Sequence, residues 1–165
     1  MNTRKKEIPD ELIYRPDIST LSFPDLDLSD ALLVKYRKLV KQITASAELP
    51  MMNLRNMSNT DIRLQFGVAN QAFITQAEEN YDAFLNFLFD YALLMKENQC
   101  IQEAVLALEE IIRLDSDTSK YYILLADLYA ETSNQTGLQR LRHAAEKCNP
   151  IGQSKVLQHL DKLKQ

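Results

Sequence analysis

The chain has 165 residues, of which 45% are hydrophobic and 25% charged, and it carries a formal net charge of −4 with only three glycines. This length suits one folded domain, and this composition is ordinary for a globular protein. The acidic balance argues against general affinity for nucleic acid or anionic membranes, and the scarcity of glycine argues against a nucleotide-binding loop.

Targeting and redox signals point to the cytoplasm. No apolar run reaches about 18 residues, so the sequence predicts no membrane span. The start of the chain is polar and is interrupted by Pro9 and Pro16, which is not the pattern of a secretory signal. Cys100 and Cys148 form no CxxC pair and have no set of histidines nearby. We therefore expect reduced thiols, no metal site and a cytoplasmic location.

Residues 1–28 are predicted to form an extended N-terminal arm. They contain three prolines, which favour extended backbone, and they show no sustained helical period. A disordered tail would carry fewer apolar residues than this segment does. These are Ile8, Leu12, Ile13, Tyr14, Ile18, Leu21, Phe23 and Leu26. We expect Ile18, Leu21 and Phe23 to pack on helices of the same chain or of a dimer mate.

Residues 29–165 are predicted to form a helical domain. The first helix begins near Ser29 and ends before Pro50, because its apolar residues follow helical spacing. A second helix begins after the Ser58 cap and continues through Gly67, with Ile62, Phe66, Ala69, Phe73 and Ile74 facing inward. The third, at about 80–97, is apolar almost all round, which predicts burial at the centre of the domain. Four more helices are predicted, at about 100–114, 117–133, 134–149 and 151–165.

The third to sixth predicted helices contain a 34-residue repeat. Aligning the chain with itself at this offset brings large apolar residues together and pairs Ala92 with Ala126. The other pairs are Leu88–Tyr122, Tyr91–Leu125, Met95–Tyr129, Ala104–Leu138, Leu108–Arg142, Ile111–Ala145 and Ser116–Pro150. A small residue among large ones lets two helices approach closely. Ala92 and Ala126 are therefore predicted to be helix-crossing sites.

This helix–turn–helix period resembles the tetratricopeptide repeat (TPR), whose consensus is W-x2-L-G-x2-Y…A-x3-F…P. Consensus positions are met by Tyr122, Leu125, Ala126, Tyr129, Ala145 and Pro150 in the second copy, and by Ala92, Ala104 and Leu108 in the first. Two positions depart: Arg142 replaces a large apolar residue, and Ser116 replaces the usual proline. The resemblance covers positions 82–150 in two degenerate copies.

The resemblance implies an all-α, TPR-like α-solenoid with repeats at about 85–118 and 119–152. The last segment, 151–165, would then be the capping helix that such arrays need, because it is amphipathic with a lysine-rich outer face. The alternative is a generic helical bundle with a chance 34-residue echo.

In this family the first helix of each repeat lines a concave groove, and that correspondence assigns nine residues to a partner-binding site here. They are Asn86, Phe89, Asp90, Leu93, Glu97, Lys120, Ile123, Asp127 and Glu131. Family members that clamp a C-terminal carboxylate use Lys, Asn and Arg where this groove has Phe89, Leu93, Ile123 and Asp127, so we do not expect that activity. An apolar, acid-rimmed groove favours an apolar or basic peptide segment of a partner protein.

Charge is unevenly distributed along the helical domain. Residues 76–115 hold nine acidic and two basic side chains, a net of −7, whereas residues 138–165 hold six basic and two acidic ones, a net of +4. This polarity could steer a basic ligand toward the middle of the chain or drive head-to-tail self-association. Plain solubility explains the same pattern equally well.

The sequence contains no catalytic or nucleotide-binding signature such as GxSxG, GxxxxGK[ST], GxGxxG or HExxH. His143 and His159 lie on separate predicted helices, and adjacent acids such as Glu78 and Glu79 do not face one another on a helix. We therefore predict a non-enzymatic interaction module without a cofactor. The alternative is a structural homodimer whose groove is filled by its own N-terminal arm.

Residues 58–74, SNTDIRLQFGVANQAFI, also resemble the helix-turn-helix of bacterial repressors, with Gly67 and Val68 at the expected places. Arg63, however, stands where the motif needs a small residue. The expected recognition face, made of Asn70, Gln71, Thr75, Gln76, Glu78 and Glu79, offers no Lys or Arg for phosphates. A DNA-binding regulator is therefore the third hypothesis, after the interaction module and the structural homodimer and ahead only of an enzyme.

Overall fold

The computed structural model describes residues 6–164, and this part of the chain is helical, without a β-strand. The α-helices are α1 Asp30–Ser46, α2 Asn59–Phe66, α3 Gln71–Glu97, α4 Ile101–Arg113, α5 Ser119–Glu131, α6 Gln135–Cys148 and α7 Gln153–Lys162. Short 3-10 turns occur at Asp10–Leu12, Ile18–Thr20 and Val68–Asn70. The all-α prediction is confirmed. Residues 1–5 of the predicted arm and residue 165 of the predicted cap lie outside the described residues.

The prediction of a continuous helix through Gly67 is wrong. Ser58 caps α2 as predicted: its hydroxyl oxygen accepts from the backbone N–H of Asp61, whose side chain accepts from the backbone N–H of Ser58. Gly67 then has φ of 77° and ψ of 161°, a conformation that ends the helix and that other residues rarely adopt. The chain makes a 3-10 turn before the next helix begins.

As a result, α3 is longer than predicted. It runs unbroken over Gln71–Glu97, which are 27 residues, and so joins the end of the predicted second helix to the third. Ala69 and Phe73, which were expected to face inward, are exposed, whereas Ile62, Phe66 and Ile74 are buried as expected. The difference arises because the break at Gly67 rotates the residues that follow it relative to α2.

The helices pack in chain order around one main core. Helix α1 packs on α3, α3 on α4, α4 on α5 and α5 on α6, and α7 closes against both α5 and α6. Residues 84–95 of α3 are buried or half-buried except for Asn86 and Asp90, as their composition predicts. Helix α5 is buried to a similar degree because α4, α6 and α7 surround it. A second, smaller cluster contains Met52, Leu54, Ile62, Phe66, Ile74 and Ala77.

The turns of the helical domain recur with the 34-residue period of the sequence. Gln99 and Ser133 follow α3 and α5 and have φ of 63° and 54°. Asp115 and Asn149 follow α4 and α6 and have φ of 59° and 51°. All four non-glycine residues are left-handed, a conformation that commonly closes helices. The first residues of α5 and α7 are separated by the same offset.

The residues paired by the repeat are buried in both copies, with Arg142 as the exception. Ala92 and Ala126 are 0% and 1% exposed. Arg142 keeps 23% of its side chain exposed and forms ion pairs with Asp161 of α7 and Glu146 of α6. A charged residue is accommodated at this position because α7 supplies a carboxylate beside it.

The described part of the N-terminal arm is anchored to its own chain by hydrogen bonds. The backbone N–H of Tyr14 donates to the carbonyl of Met51 at 2.7 Å, and the backbone N–H of Asp17 donates to Glu110 Oε1 at 3.2 Å. Glu110 is 4% exposed and is also paired with Arg113, through Nε at 2.7 Å and Nη2 at 2.5 Å. The arm thereby completes the bonding of a buried carboxylate on α4.

Apolar contacts hold the second half of the arm. Leu21 is buried, and Ile18 and Phe23 pack against the main core, so these three predicted residues contact helices of the same chain. The Phe23 ring meets the Tyr91 ring edge-on, with ring centroids 5.5 Å apart. The Tyr36 hydroxyl donates to the Pro24 carbonyl at 2.7 Å. The arm therefore lies against α1, α3 and α4.

Candidate functional site

The nine predicted groove residues lie along two neighbouring helices, α3 and α5. On α3, Asn86, Phe89, Asp90, Leu93 and Glu97 follow helical spacing and share one face. On α5, Lys120, Ile123, Asp127 and Glu131 do the same. We call this set of nine residues the α3/α5 strip.

An aromatic contact brings the two halves of the strip together. The rings of Phe89 on α3 and Tyr121 on α5 meet edge-on, with centroids 5.1 Å apart. The Lys120 Nζ lies 4.6 Å from the Phe89 centroid and 5.1 Å from the Tyr121 centroid, within cation–π range. Sequence reasoning selected Phe89 and Lys120 but missed Tyr121, which the apolar pattern of α5 assigns to the core.

The strip has a half-buried centre and an exposed rim. Phe89, Leu93, Ile123 and Asp127 are half-buried, and the three apolar members of this group pack against the main core. The exposed members are Asn86, Asp90, Glu97, Lys120 and Glu131. The strip therefore presents apolar side chains between charged ones. Another peptide segment could cover these apolar side chains without unfolding the helices.

The carboxylates of the strip divide into paired and unpaired groups. The Asp127 Oδ1 lies 2.6 Å from the His159 Nε2 of α7, so this residue ties α5 to α7. Among the described residues, no Lys, Arg or His nitrogen lies within about 4 Å of the carboxylates of Asp90, Glu97 or Glu131. These three are free to meet a cation from outside the chain.

Two further acids extend the rim along α3. Glu78 and Asp82 precede Asn86 by eight and four residues and so lie on the same face. Partial burial raises the pKa of the Asp82 carboxyl, and the nearby charge of Asp117 raises it further. Partial burial and the charge of Asp82 raise the pKa of Glu78 in the same way. Both carboxyl groups are therefore harder to ionise than a carboxyl group in water. Sequence reasoning did not include this end of the face.

The arm contacts the other side of α3. It bonds or packs on Tyr81 and Tyr91, each five residues from Asn86 and therefore roughly 140° away around the helix. Within the described residues, the hydrogen bonds and ring contacts of the arm involve none of the nine strip residues. These contacts do not support the hypothesis that the arm fills the groove.

The helix-turn-helix segment has a real turn at Gly67, but one residue of its expected recognition face is inaccessible. Asn70 is 2% exposed, and its Nδ2 donates to the carbonyls of Phe66 at 2.9 Å and Lys6 at 2.5 Å. Asn70 therefore holds the turn and the start of the arm, and its amide is not available to contact a base.

Other chemical features of residues 6–164 are sparse. No group of three or more His, Cys, Asp or Glu side chains there could hold a metal ion. Cys100 and Cys148 are free thiols, and burial, followed by the charge of Glu103, raises the pKa of Cys100. In the same described part of the chain, no helix is both long enough and apolar enough to cross a membrane.

The geometry defines an all-helical protein with an acid-rimmed apolar strip on one side and a docked N-terminal arm on the other. The chain matches no protein-family model, no curated protein and no solved structure.

Proposed function

We propose that the chain is a non-enzymatic interaction module whose α3/α5 strip binds a segment of a partner protein. The observation that carries this proposal is the strip itself. Phe89, Leu93 and Ile123 are half-buried side chains with apolar surface still open to water, and unpaired carboxylates border them. Covering such a surface is favourable at about 25 cal/mol per Å² of apolar area.

The 34-residue recurrence supports a TPR-like solenoid as the framework of this site. Left-handed turns recur after successive helices, and the small residues Ala92 and Ala126 are buried in equivalent places. Helix α7 begins where a third repeat would begin and covers the end of the second. In such an array the first helices of the repeats, here α3 and α5, line the face used for binding.

The chemistry of the strip favours a basic and apolar segment. Asp90, Glu97 and Glu131 offer carboxylates to a lysine or arginine of the partner, and Phe89 already accepts the Lys120 ammonium over its ring. An acidic segment would meet like charge at each of these carboxylates, which disfavours binding. The partner segment is therefore expected to alternate basic and apolar side chains.

Selection from a displayed library of random linear peptides on the full chain tests this proposal. We expect the retained peptides to be rich in Lys, Arg and large apolar residues. For a synthetic peptide of this kind, Asp90→Lys with Glu97→Lys should raise Kd at least about tenfold. Glu11→Lys with Glu48→Lys is the matched control, because both side chains are exposed, lie off the strip and give the same change in charge.

The proposal fails if the selected peptides bind both double variants equally, since the charge change would then act without regard to position. It also fails if the library yields no peptide that binds the folded chain. Circular dichroism of each variant should match the parent, because all four substituted side chains are exposed.

A further inference from the structure

A second recess lies between the arm and α1, away from the α3/α5 strip. It has a volume of about 370 Å³ and is lined mainly by Phe23 and Leu26 of the arm and by Leu33, Arg37, Val40 and Lys41 of α1. We call it the α1 groove. Four of these six side chains are apolar and half-buried, so the floor of the groove is apolar surface that the core leaves partly uncovered.

The walls of the groove are held in place by the contacts that dock the arm. The Tyr36 hydroxyl donates to the Pro24 carbonyl at 2.7 Å, and the centroids of the Tyr36 and Tyr91 rings are 6.2 Å apart. Phe23 in turn packs on Tyr91. The arm and α1 are thus joined directly and also through α3, and the groove is formed before any ligand binds.

The rim of the groove on α1 is basic. Arg37 and Lys41 are exposed and stand one helical turn apart. Among the described residues, no carboxylate oxygen lies within about 4 Å of either side chain's nitrogens. Helix α1 carries four basic residues and one acidic residue in a chain with a net charge of −4. Asp25, on the arm side, is the one acid that lines the groove.

We propose that the α1 groove docks an acidic amphipathic helix of a partner protein. Carboxylates one turn apart on such a helix match the spacing of Arg37 and Lys41, and arginine can hold a carboxylate through two parallel hydrogen bonds. Apolar residues on the neighbouring face of the same helix would cover the floor made by Phe23, Leu33 and Val40. This preference is opposite in sign to that of the α3/α5 strip, so the two sites do not compete for one ligand.

A peptide helix fits this surface better than a membrane or a nucleic acid does. The apolar floor is recessed, whereas a lipid bilayer needs apolar side chains that protrude. The net charge of −4 also works against extended contact with a polyanion, while a short acidic helix meets only the local basic rim.

The test uses the full chain and a displayed library of amphipathic peptides of about 18 residues, long enough to form a helix. One face of each peptide carries Leu, and the remaining positions vary among Glu, Lys and Gln. We expect one class of retained peptides to be rich in Glu. For a synthetic peptide of that class, Arg37→Glu with Lys41→Glu should raise Kd at least about tenfold.

Lys35→Glu with Lys38→Glu is the matched control. It makes the same charge change on the same helix, its side chains are exposed, and neither residue lines the groove. If this control keeps the affinity of the parent for the peptide and Arg37→Glu with Lys41→Glu loses it, the result supports binding at the α1 groove. The proposal would be overturned if both double variants lost affinity for the peptide equally or if both kept it. Selection of basic peptides alone would overturn it as well.

Two further measurements distinguish other occupants. Co-sedimentation with phosphatidylserine vesicles that depends on Arg37 and Lys41, in the absence of peptide binding, would assign the surface to a membrane and overturn the proposal. Analytical ultracentrifugation measures self-association. If the parent self-associates and Arg37→Glu with Lys41→Glu does not, the α1 groove binds a second copy of the chain and the proposal is overturned.

Discussion

Gln99 and Ser133, which occupy equivalent positions in the two repeats, have the same left-handed backbone conformation at the ends of α3 and α5, with φ of 63° and 54°. The bonds around them are equivalent as well. The N–H of the following residue donates back into the preceding helix at 2.8 Å in both turns, from Cys100 to Met95 and from Asn134 to Tyr129. The repeat seen in the sequence is therefore also a repeat of backbone geometry.

Glycine at these two turns should stabilise the fold. A side chain in the left-handed region costs about 1–2 kcal/mol, and glycine removes this cost while adding conformational freedom to the unfolded chain. We expect Gln99→Gly and Ser133→Gly each to raise the free energy of unfolding by up to about 1 kcal/mol, measured by urea denaturation. In the control, Gln139→Gly at an exposed position inside α6, stability should fall by about 0.5–1 kcal/mol. If glycine lowered the free energy of unfolding by a similar amount at all three positions, the two turns would carry no such strain.

The buried alanines set the spacing between helices, so enlarging them should be costly. Ala92 and Ala126 are almost fully buried. We expect Ala126→Leu to lower the free energy of unfolding by about 1–3 kcal/mol through overpacking, and Ala92→Leu to do the same. Ala45→Leu, at an exposed position on α1, should change stability by no more than about 0.5 kcal/mol. Thermal melts that coincide for all three variants would refute the spacing argument.

The elements that were predictable from the sequence are those with a local periodic signal. The spacing of apolar residues indicated α3 and α5, and the family resemblance based on the 34-residue offset assigned Phe89 and Lys120 to one surface, where the structure shows their contact. The break at Gly67 was missed because glycine is tolerated inside helices, and here the turn is supported by Asn70, whose amide bonds to the distant residue Lys6. Sequence periodicity carries no information on such a long-range contact.

The path of the arm and the partners of its side chains also depend on tertiary structure. Nothing in the spacing of residues 1–28 indicates that Tyr36 bonds to Pro24 or that Glu110 bonds to Asp17. The pairing of Asp127 with His159 likewise requires α7 to fold back beside α5. The sequence indicated that the arm docks, but it did not indicate which face it covers.

The arm should contribute measurably to stability through Leu21. This side chain is 9% exposed and belongs to the main core although it lies outside the α-helices. We expect Leu21→Ala to lower the free energy of unfolding by about 2–3 kcal/mol, because it removes buried methyl groups and leaves a cavity. Ser22→Ala is the control: its side chain is exposed and the backbone carbonyl that accepts from Tyr91 is retained, so stability should hardly change.

Hydrogen exchange provides a second readout of the same substitution. The backbone N–H groups of Tyr14 and Leu21 are hydrogen-bonded, and their exchange should become faster in Leu21→Ala. Identical urea midpoints for Leu21→Ala and the parent would mean that the arm is not part of the cooperative fold.

The acidic end of the α3 face should make stability depend on pH. The pKa of Asp82 is raised by partial burial and then by Asp117, and the pKa of Glu78 is raised by partial burial and then by Asp82. A carboxyl group with a raised pKa in the folded state binds more protons when folded than when unfolded. Its contribution to stability is therefore highest below its unfolded pKa and is lost as the pH rises through the folded pKa.

We accordingly expect Asp82→Asn to raise the melting temperature at pH 7. The parent should lose stability as the pH rises from the unfolded to the folded pKa of Asp82, just above about pH 4, and this loss should be smaller in the variant. Because much of the partly buried Asp82 side chain is still open to solvent, the gain should be small, up to about 0.5 kcal/mol. Glu131→Gln removes a charge from an exposed position at the end of α5 and serves as the control. Thermal melts across pH 4–8 would contradict the raised pKa of Asp82 if Asp82→Asn were less stable than the parent at pH 7, or if the stability of the variant and of the parent changed with pH in the same way.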